Sequence, residues 1–344
     1  MTDMREQAYR AVQERCGIID WPAWGVIHVG GVDRAGFLHN LLSNDITALQ
    51  PGSGCEAALL TASGKLVASL IVLADSDALW LLVDRARLTT VVSTLERYRI
   101  TEDVALTDVS ADWTVLALQG PQSPALLTNV LRCTRALSKP LAHCLVIHPP
   151  TRDGTTQRDV VRCLAYPLTC HPGVLLTVPP RLAEGLRGLL RQHGAVSVGS
   201  ETLNVLRLEA GMPWYGIDMD EANLLPETGL EERLVSYTKG CYVGQEVIAR
   251  LHTYGSVSQH LMGLVFDGTI VPERGDHILK DGQPVGDITS ACFSPALKGP
   301  IALGYVKRPY YEAGIATIVM RERRAIPSTV IKLPFHEVSD TYTA

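Results

Sequence analysis

The chain has 344 residues, 46% hydrophobic and 19% charged, a globular composition too long for one ordinary core, so two or three domains are expected. A net charge of −5, from 31 Lys+Arg against 36 Asp+Glu, argues against a direct nucleic-acid or anionic-membrane binder, whose affinity would need a basic surface. No apolar run approaches the ~20 residues of a membrane span, and the polar start with Asp3 and Glu6 does not read as a signal peptide.

The first strand signal is at 25–29, after which Asp33 is placed to cap a helix with Phe37, Leu38, Leu41 and Leu42 on its apolar face. Strand-like runs follow at 57–61, 66–74 and 79–83, separated by the turn residues Ser63-Gly64 and Asp75-Ser76-Asp77. Leu88, Val91, Val92, Leu95 and Tyr98 then recur at helical spacing. Residues 113–118 read as a strand, and Ser123-Pro124 as a helix start with Ser as cap and Pro at the first helical position. Strand runs at 144–148, 160–165 and 174–178 precede a leucine stripe at 182, 186, 189 and 190 that stops at His193-Gly194. The recurrence of three strands and a helix predicts an α+β fold of two modules, each an antiparallel sheet covered by helices on one face. From about residue 256 short β runs alternate with Gly, Pro and Asp turns, the pattern of a small β-barrel. The predicted domains are therefore 1–255 and 256–344.

The eight cysteines are scattered, with no CxxC and no zinc-finger spacing, so no metal site is expected and reduced thiols of a cytoplasmic protein are the simple reading. No P-loop, GxGxxG, GxSxG or HExxH is present. The pair Arg207 and Glu209 near a helix end reads as a surface or interface ion pair. The unusual stretch is Lys239-Gly-Cys-Tyr-Val-Gly-Gln-Glu246, followed by Ala249-Arg250. In an extended segment Lys239 lies on the same side as Cys241, and a nearby lysine favours the nucleophilic thiolate. In a helix starting near Gly244, Glu246 and Arg250 would pair. On spacing alone, a lone cysteine between turn glycines is more usually a small buried hydrophobe.

The motif KGCYVGQE resembles the signature of the YgfZ family, folate-binding proteins linked to iron–sulfur cluster assembly and repair. The stretches GVDRAGFLHNLLSNDITALQPG (31–52), LALQGP (116–121), LRLEAGMPWYGID (206–218) and ITSACFSPALKGPIALGYV (288–306) are similar to the wider superfamily of the glycine-cleavage T-protein, a tetrahydrofolate-dependent aminomethyltransferase. The resemblance implies two α+β modules and a C-terminal barrel around a central folate pocket. It places Cys241 and Lys239 in the reactive loop, and Ser69, Asn44 and Arg207 at the folate site. Gly240 and Gly244 would let the backbone approach the ligand, with Tyr242, Gln245, Glu246 and Arg250 contacting it or flanking the loop.

Three departures separate this chain from the transferases. Their essential aspartate falls at Ser69 in Gly64-Lys-Leu-Val-Ala-Ser-Leu70, a hydroxyl without the charge for acid–base work. An arginine of the family falls at Leu203, and a glutamate at Leu175. The resemblance thus implies a YgfZ-like protein that binds tetrahydrofolate or a folate derivative, with iron–sulfur proteins or their assembly factors as partners. The alternatives are a tetrahydrofolate-dependent aminomethyl or methyl transferase, and a non-catalytic binding module.

Overall fold

The computed structural model describes residues 3–21, 24–133, 137, 139–148 and 159–336. Its first part runs α1 (Asp3–Glu14), β1 (Gly17–Asp20), β2 (Trp24–Gly30), α2 (Arg34–Leu41), β3 (Ser53–Leu60), β4 (Leu66–Ala74), β5 (Leu79–Asp84), α3 (Leu88–Tyr98) and β6 (Ala105–Asp108). The second runs β7 (Thr114–Gln119), α4 (Ser123–Leu131), β8 (His143–His148), β9 (Asp159–Ala165), β10 (Gly173–Val178), α5 (Pro180–Gln192), β11 (Val196–Ser197) and α6 (Ser200–Glu209). The short α7 (Glu231–Leu234) and α8 (Gln245–Tyr254) lead to β12 (Gln259–Phe266), β13 (His277–Lys280), β14 (Gln283–Ser294), β15 (Gly299–Lys307), β16 (Ala316–Arg321) and β17 (Arg324–Ile331).

The strands form an antiparallel five-stranded sheet in the order β3-β4-β5-β2-β6, and a six-stranded sheet in the order β11-β1-β7-β10-β9-β8 that is antiparallel except for the β1–β11 pair. A closed six-stranded barrel follows. Period-two alternation explains why β4 is apolar on nearly every position. Leu70 and Val72 face Phe37, Leu38, Val91 and Leu95 of the helices, while Ile71 and Leu73 face the second sheet. In β7, Leu116 and Leu118 pack under α4 and α5, while Val115 and Ala117 face the first sheet. Each such buried leucine contributes roughly 1.5–3 kcal/mol. A polar clamp also joins the sheets: Arg162 on β9 donates to both carboxylate oxygens of Asp75 at 2.9 and 2.7 Å, and Trp80 Nε1 donates to Asp75 at 2.8 Å.

The expected α+β architecture and barrel are present, with differences in detail. The modules interleave: β1 leaves the N-terminus to join the second sheet between β11 and β7. The unpredicted α1 buries Ala8, Tyr9 and Val12 in the inter-sheet core. Asp33 does not cap α2 with its side chain; it accepts from the Asp103 N–H instead. Ser123 is the first residue of α4 rather than its cap, and its hydroxyl donates to Pro172 O at 3.1 Å.

Arg207 and Glu209 are both 1% exposed and do not pair with each other, contrary to the surface reading. Arg207 donates to Asp218, to Asn204 Oδ1 at 2.9 Å, to Met212 O at 3.1 Å and to Ser290 Oγ at 2.8 Å. Glu209 accepts from Tyr9 and from Ser294 on β14. These bonds seat the barrel on α6, alongside Leu208 packed with Leu261, Ile301 and Leu303. Among the described residues, no helix is long and apolar enough to cross a membrane.

Candidate functional site

The two sheets and α6 line an open-mouthed cavity of about 510 Å³, within the size range of small-molecule sites. Its walls include Trp21, Trp24, Tyr166 and Trp214, with Ile71, Leu203 and Met212 between them. The rings meet edge to face: Trp21–Trp24 at 6.1 Å, Trp21–Trp214 at 5.6 Å and Trp24–Tyr166 at 5.8 Å. Arg207 stacks behind Trp214 with its guanidinium carbon 4.5 Å from the ring centroid, which fixes that wall. Trp21 Nε1 is buried and has no hydrogen-bond partner among the described residues.

Glu56 supplies a carboxylate to this apolar enclosure. Arg233 donates to it twice, Nε to Oε2 at 2.9 Å and Nη2 to Oε1 at 2.8 Å, and Tyr166 Oη donates to Oε1 at 2.9 Å. Burial, reinforced by Glu56, holds the Tyr166 hydroxyl well above its ordinary value, so it stays protonated and donates. Asn44 Nδ2 donates to Glu56 O at 2.8 Å and to Arg233 O at 3.4 Å, tying together the two backbones that carry this pair.

Of the residues expected at the folate site, Ser69 lines the cavity. Asn44 stands behind the wall as a positioning residue. Arg207 lies outside the lining, because its donors are committed to Asp218, Asn204, Met212 and Ser290. Leu203 is part of the wall, and Leu175 lies in the inter-sheet core.

The loop at 239–246 is elsewhere. Lys239 donates to His39 O and, at 2.7 Å, to Leu42 O, and its ammonium lies 4.9 Å from the Tyr242 ring centroid. Burial brings Lys239 down to about 8, against the opposing pull of Asp45, Cys55 and Cys241. Tyr242 is buried among Ala58, Leu60, Leu66 and Ile248, while Val243 packs with the opposite face of β3. The loop therefore wraps the β3 edge. Gly244 has φ +86°, and a Cβ there would stand 2.5 Å from Thr61 O, so glycine is required for this crossing. Its close approach is to the chain itself. A Cβ on Gly240 would come no nearer than 3.9 Å to His39 Nε2.

Cys241 is exposed, which excludes the buried-hydrophobe reading. Gln245, Glu246 and Arg250 lie on α8, and among the described residues no ion pair joins Glu246 to Arg250. None of residues 239–250 lines the cavity. Tyr242 packs inward and does not face a ligand there. Local pattern gave no sign of Glu56, Arg233, Tyr166 or the three converging indoles, because residues at 21, 24, 166 and 214 meet only through the sheet crossing.

Two interleaved α+β modules with an aromatic-walled cavity and a C-terminal barrel define a T-protein-type fold. Residues 1–239 match the GCVT N-terminal domain, and residues 259–337 match the glycine cleavage T-protein C-terminal barrel domain. The chain belongs to the glycine cleavage T-protein family. It is 30% identical to an aminomethyltransferase of Synechococcus sp. (strain RCC307) over 330 residues, covering 95% of this chain and 89% of the relative. An aminomethyltransferase of Rubrobacter xylanophilus is 28% identical over 329 residues, covering 95% and 85%. The crystal structure of glycine cleavage system aminomethyltransferase T from Bartonella henselae superposes with a TM-score of 0.87 at 21% identity, covering 98% of this chain and 91% of that one. This last likeness is one of fold.

Proposed function

We propose that the cavity binds tetrahydrofolate or a folate derivative, and that the protein is a YgfZ-type accessory factor of iron–sulfur cluster assembly or repair. The observation that carries this reading is Ser69 in the cavity wall at the position where the family resemblance places the transferase aspartate. Toward a folate the cavity offers aromatic faces and one carboxylate, without the aspartate, arginine and glutamate that the resemblance would place at Ser69, Leu203 and Leu175. Indole and phenol faces suit a flat fused ring, and the Glu56 carboxylate suits ring N–H donors. Arg233 and Tyr166 orient Glu56, and the aromatic walls supply apolar surface. When bound, such a cofactor supplies one-carbon chemistry; this chain's residues position it.

Cys241, exposed on the loop that wraps β3, is the group assigned to an iron–sulfur partner, and the KGCYVGQE resemblance supports that assignment. Lys239 braces the loop through His39 O and Leu42 O. The test is rescue of iron–sulfur enzyme activity in cells lacking the protein. A Cys241→Ala variant is expected to fail, and full rescue by it overturns the role of the thiol.

Family membership and the Glu56 carboxylate favour a second reading, a tetrahydrofolate-dependent transferase in which Glu56 does the acid–base work. Turnover of an aminomethyl or methyl donor with tetrahydrofolate, abolished in Glu56→Gln, would establish it in place of the first.

A further inference from the structure

Outside the cavity and the Cys241 loop, three cysteines converge from separate elements. Cys133 lies just beyond the end of α4, Cys144 is on β8 and Cys163 on β9. Cys144 and Cys163 are direct cross-strand partners. The three sulfurs all lie within 4.8 Å of one another, with Cys133 and Cys144 at 3.1 Å. All three residues are buried, at 5%, 4% and 0% exposure, among Leu116, Leu131 and Leu176.

We infer that Cys133, Cys144 and Cys163 form a binding site for a single soft, thiophilic divalent cation of the zinc class. Three sulfurs around one ion at a metal–sulfur distance of about 2.3 Å stand about 4 Å apart, within the spread found here. Thiolate-rich sites select soft cations over magnesium or calcium. Among the described residues, no carboxylate or imidazole is part of the cluster, so the ligands it offers are sulfurs.

Binding proceeds as M²⁺ plus three thiols giving three metal-bound thiolates, with three protons released to solvent. The step changes no oxidation state and needs no oxidant. Entry is by local opening at the sheet margin: β8 is the outermost strand of its sheet, where opening costs less than in the centre. The site is independent of the folate reading.

The test uses the full, reduced chain under anaerobic conditions, with Cys241 first blocked by iodoacetamide. Titration with Cd²⁺ is expected to give a thiolate-to-metal charge-transfer band that saturates at one ion per chain. Cys133→Ala and Cys144→Ala are each expected to weaken uptake by roughly tenfold or more. X-ray absorption of the zinc-loaded wild-type chain, which needs no variant to fold, is expected to show three sulfur neighbours at about 2.3 Å. Uptake that disappears on blocking Cys241, fewer than three sulfur neighbours, or a Cys133–Cys144 disulfide with no uptake after reduction would each overturn the inference.

Discussion

Glu56 stands diagonally across from Ser69 on the cavity face of β3 and β4, since Ser69 is in register with Ala58 and Glu56 with Ile71. A cross-strand diagonal is about 7–8 Å, so the cavity carries a carboxylate one diagonal step from Ser69. Glu56→Gln should weaken tetrahydrofolate binding by about tenfold, since a charge-assisted hydrogen bond is worth about 1.5 kcal/mol or more. Ser69→Ala should change it less than about threefold. Calorimetry on the two variants checks both, and a larger loss from Ser69→Ala would contradict the assignment.

Arg207 and Asp218 form an ion pair that is almost wholly removed from water, with side chains 2% and 0% exposed. Removing one partner strands the other charge. Asp218→Ala should therefore destabilise the protein by about 3–5 kcal/mol. Thr289 also donates to Asp218 at 2.7 Å, so the barrel should loosen first. Denaturant unfolding monitored with hydrogen exchange measures both effects; a loss below about 1 kcal/mol would show that the pair adds little to its seat.

Lys239 makes stability depend on pH with a definite sign. Its folded value is about 8, against about 10.4 in an unfolded chain. Between those values the unfolded state holds more protons, so stability rises with pH across the window; below about pH 8 the full cost of the buried charge is present. Relative to Lys239→Met, wild type should gain about 2 kcal/mol between pH 8 and 10.4. Urea midpoints across that range would show the slope, and parallel profiles would refute it.

Among the eight cysteines, Cys241 is exposed, Cys55 and Cys170 are partly buried, and the other five are buried. Limiting iodoacetamide under native conditions should label Cys241 first, as peptide mass spectrometry would report. Faster labelling of Cys55, whose thiol burial pushes up to about 12, would mean that the 239–246 loop opens readily.

Gly244→Ala should cost about 2 kcal/mol, because it combines a left-handed backbone with a contact no Cβ can make. Thermal unfolding tests this directly. An unchanged melting temperature would show that the loop relaxes around the new methyl group.

Much of the architecture was readable from pattern alone. The apolar runs at 66–74 and 174–178 and the leucine stripe of α5 are long or periodic enough to declare themselves, and the structure places β4, β10 and α5 there. The polar-looking α1 was missed because its apolar face is narrow: Ala8, Ala11 and Val12 are small, and Tyr9 carries the rest. The candidate site was harder. Ser69 was visible as a departure from a motif, whereas Glu56, Arg233 and Trp214 have ordinary neighbours and acquire meaning only when strands far apart in sequence cross. Arg207 misled for the same reason: its partner Asp218 is eleven residues on, beyond the reach of helical spacing.

The central claim is that the indole-walled cavity still takes a reduced folate without the aspartate. Anaerobic calorimetric titration of the purified chain with tetrahydrofolate tests it most directly, with Trp214→Ala alongside. Saturable one-to-one binding, weakened in Trp214→Ala, is the predicted result. No heat of binding at millimolar ligand would contradict it and would leave the Cys241 loop to be explained by a protein or cluster partner alone.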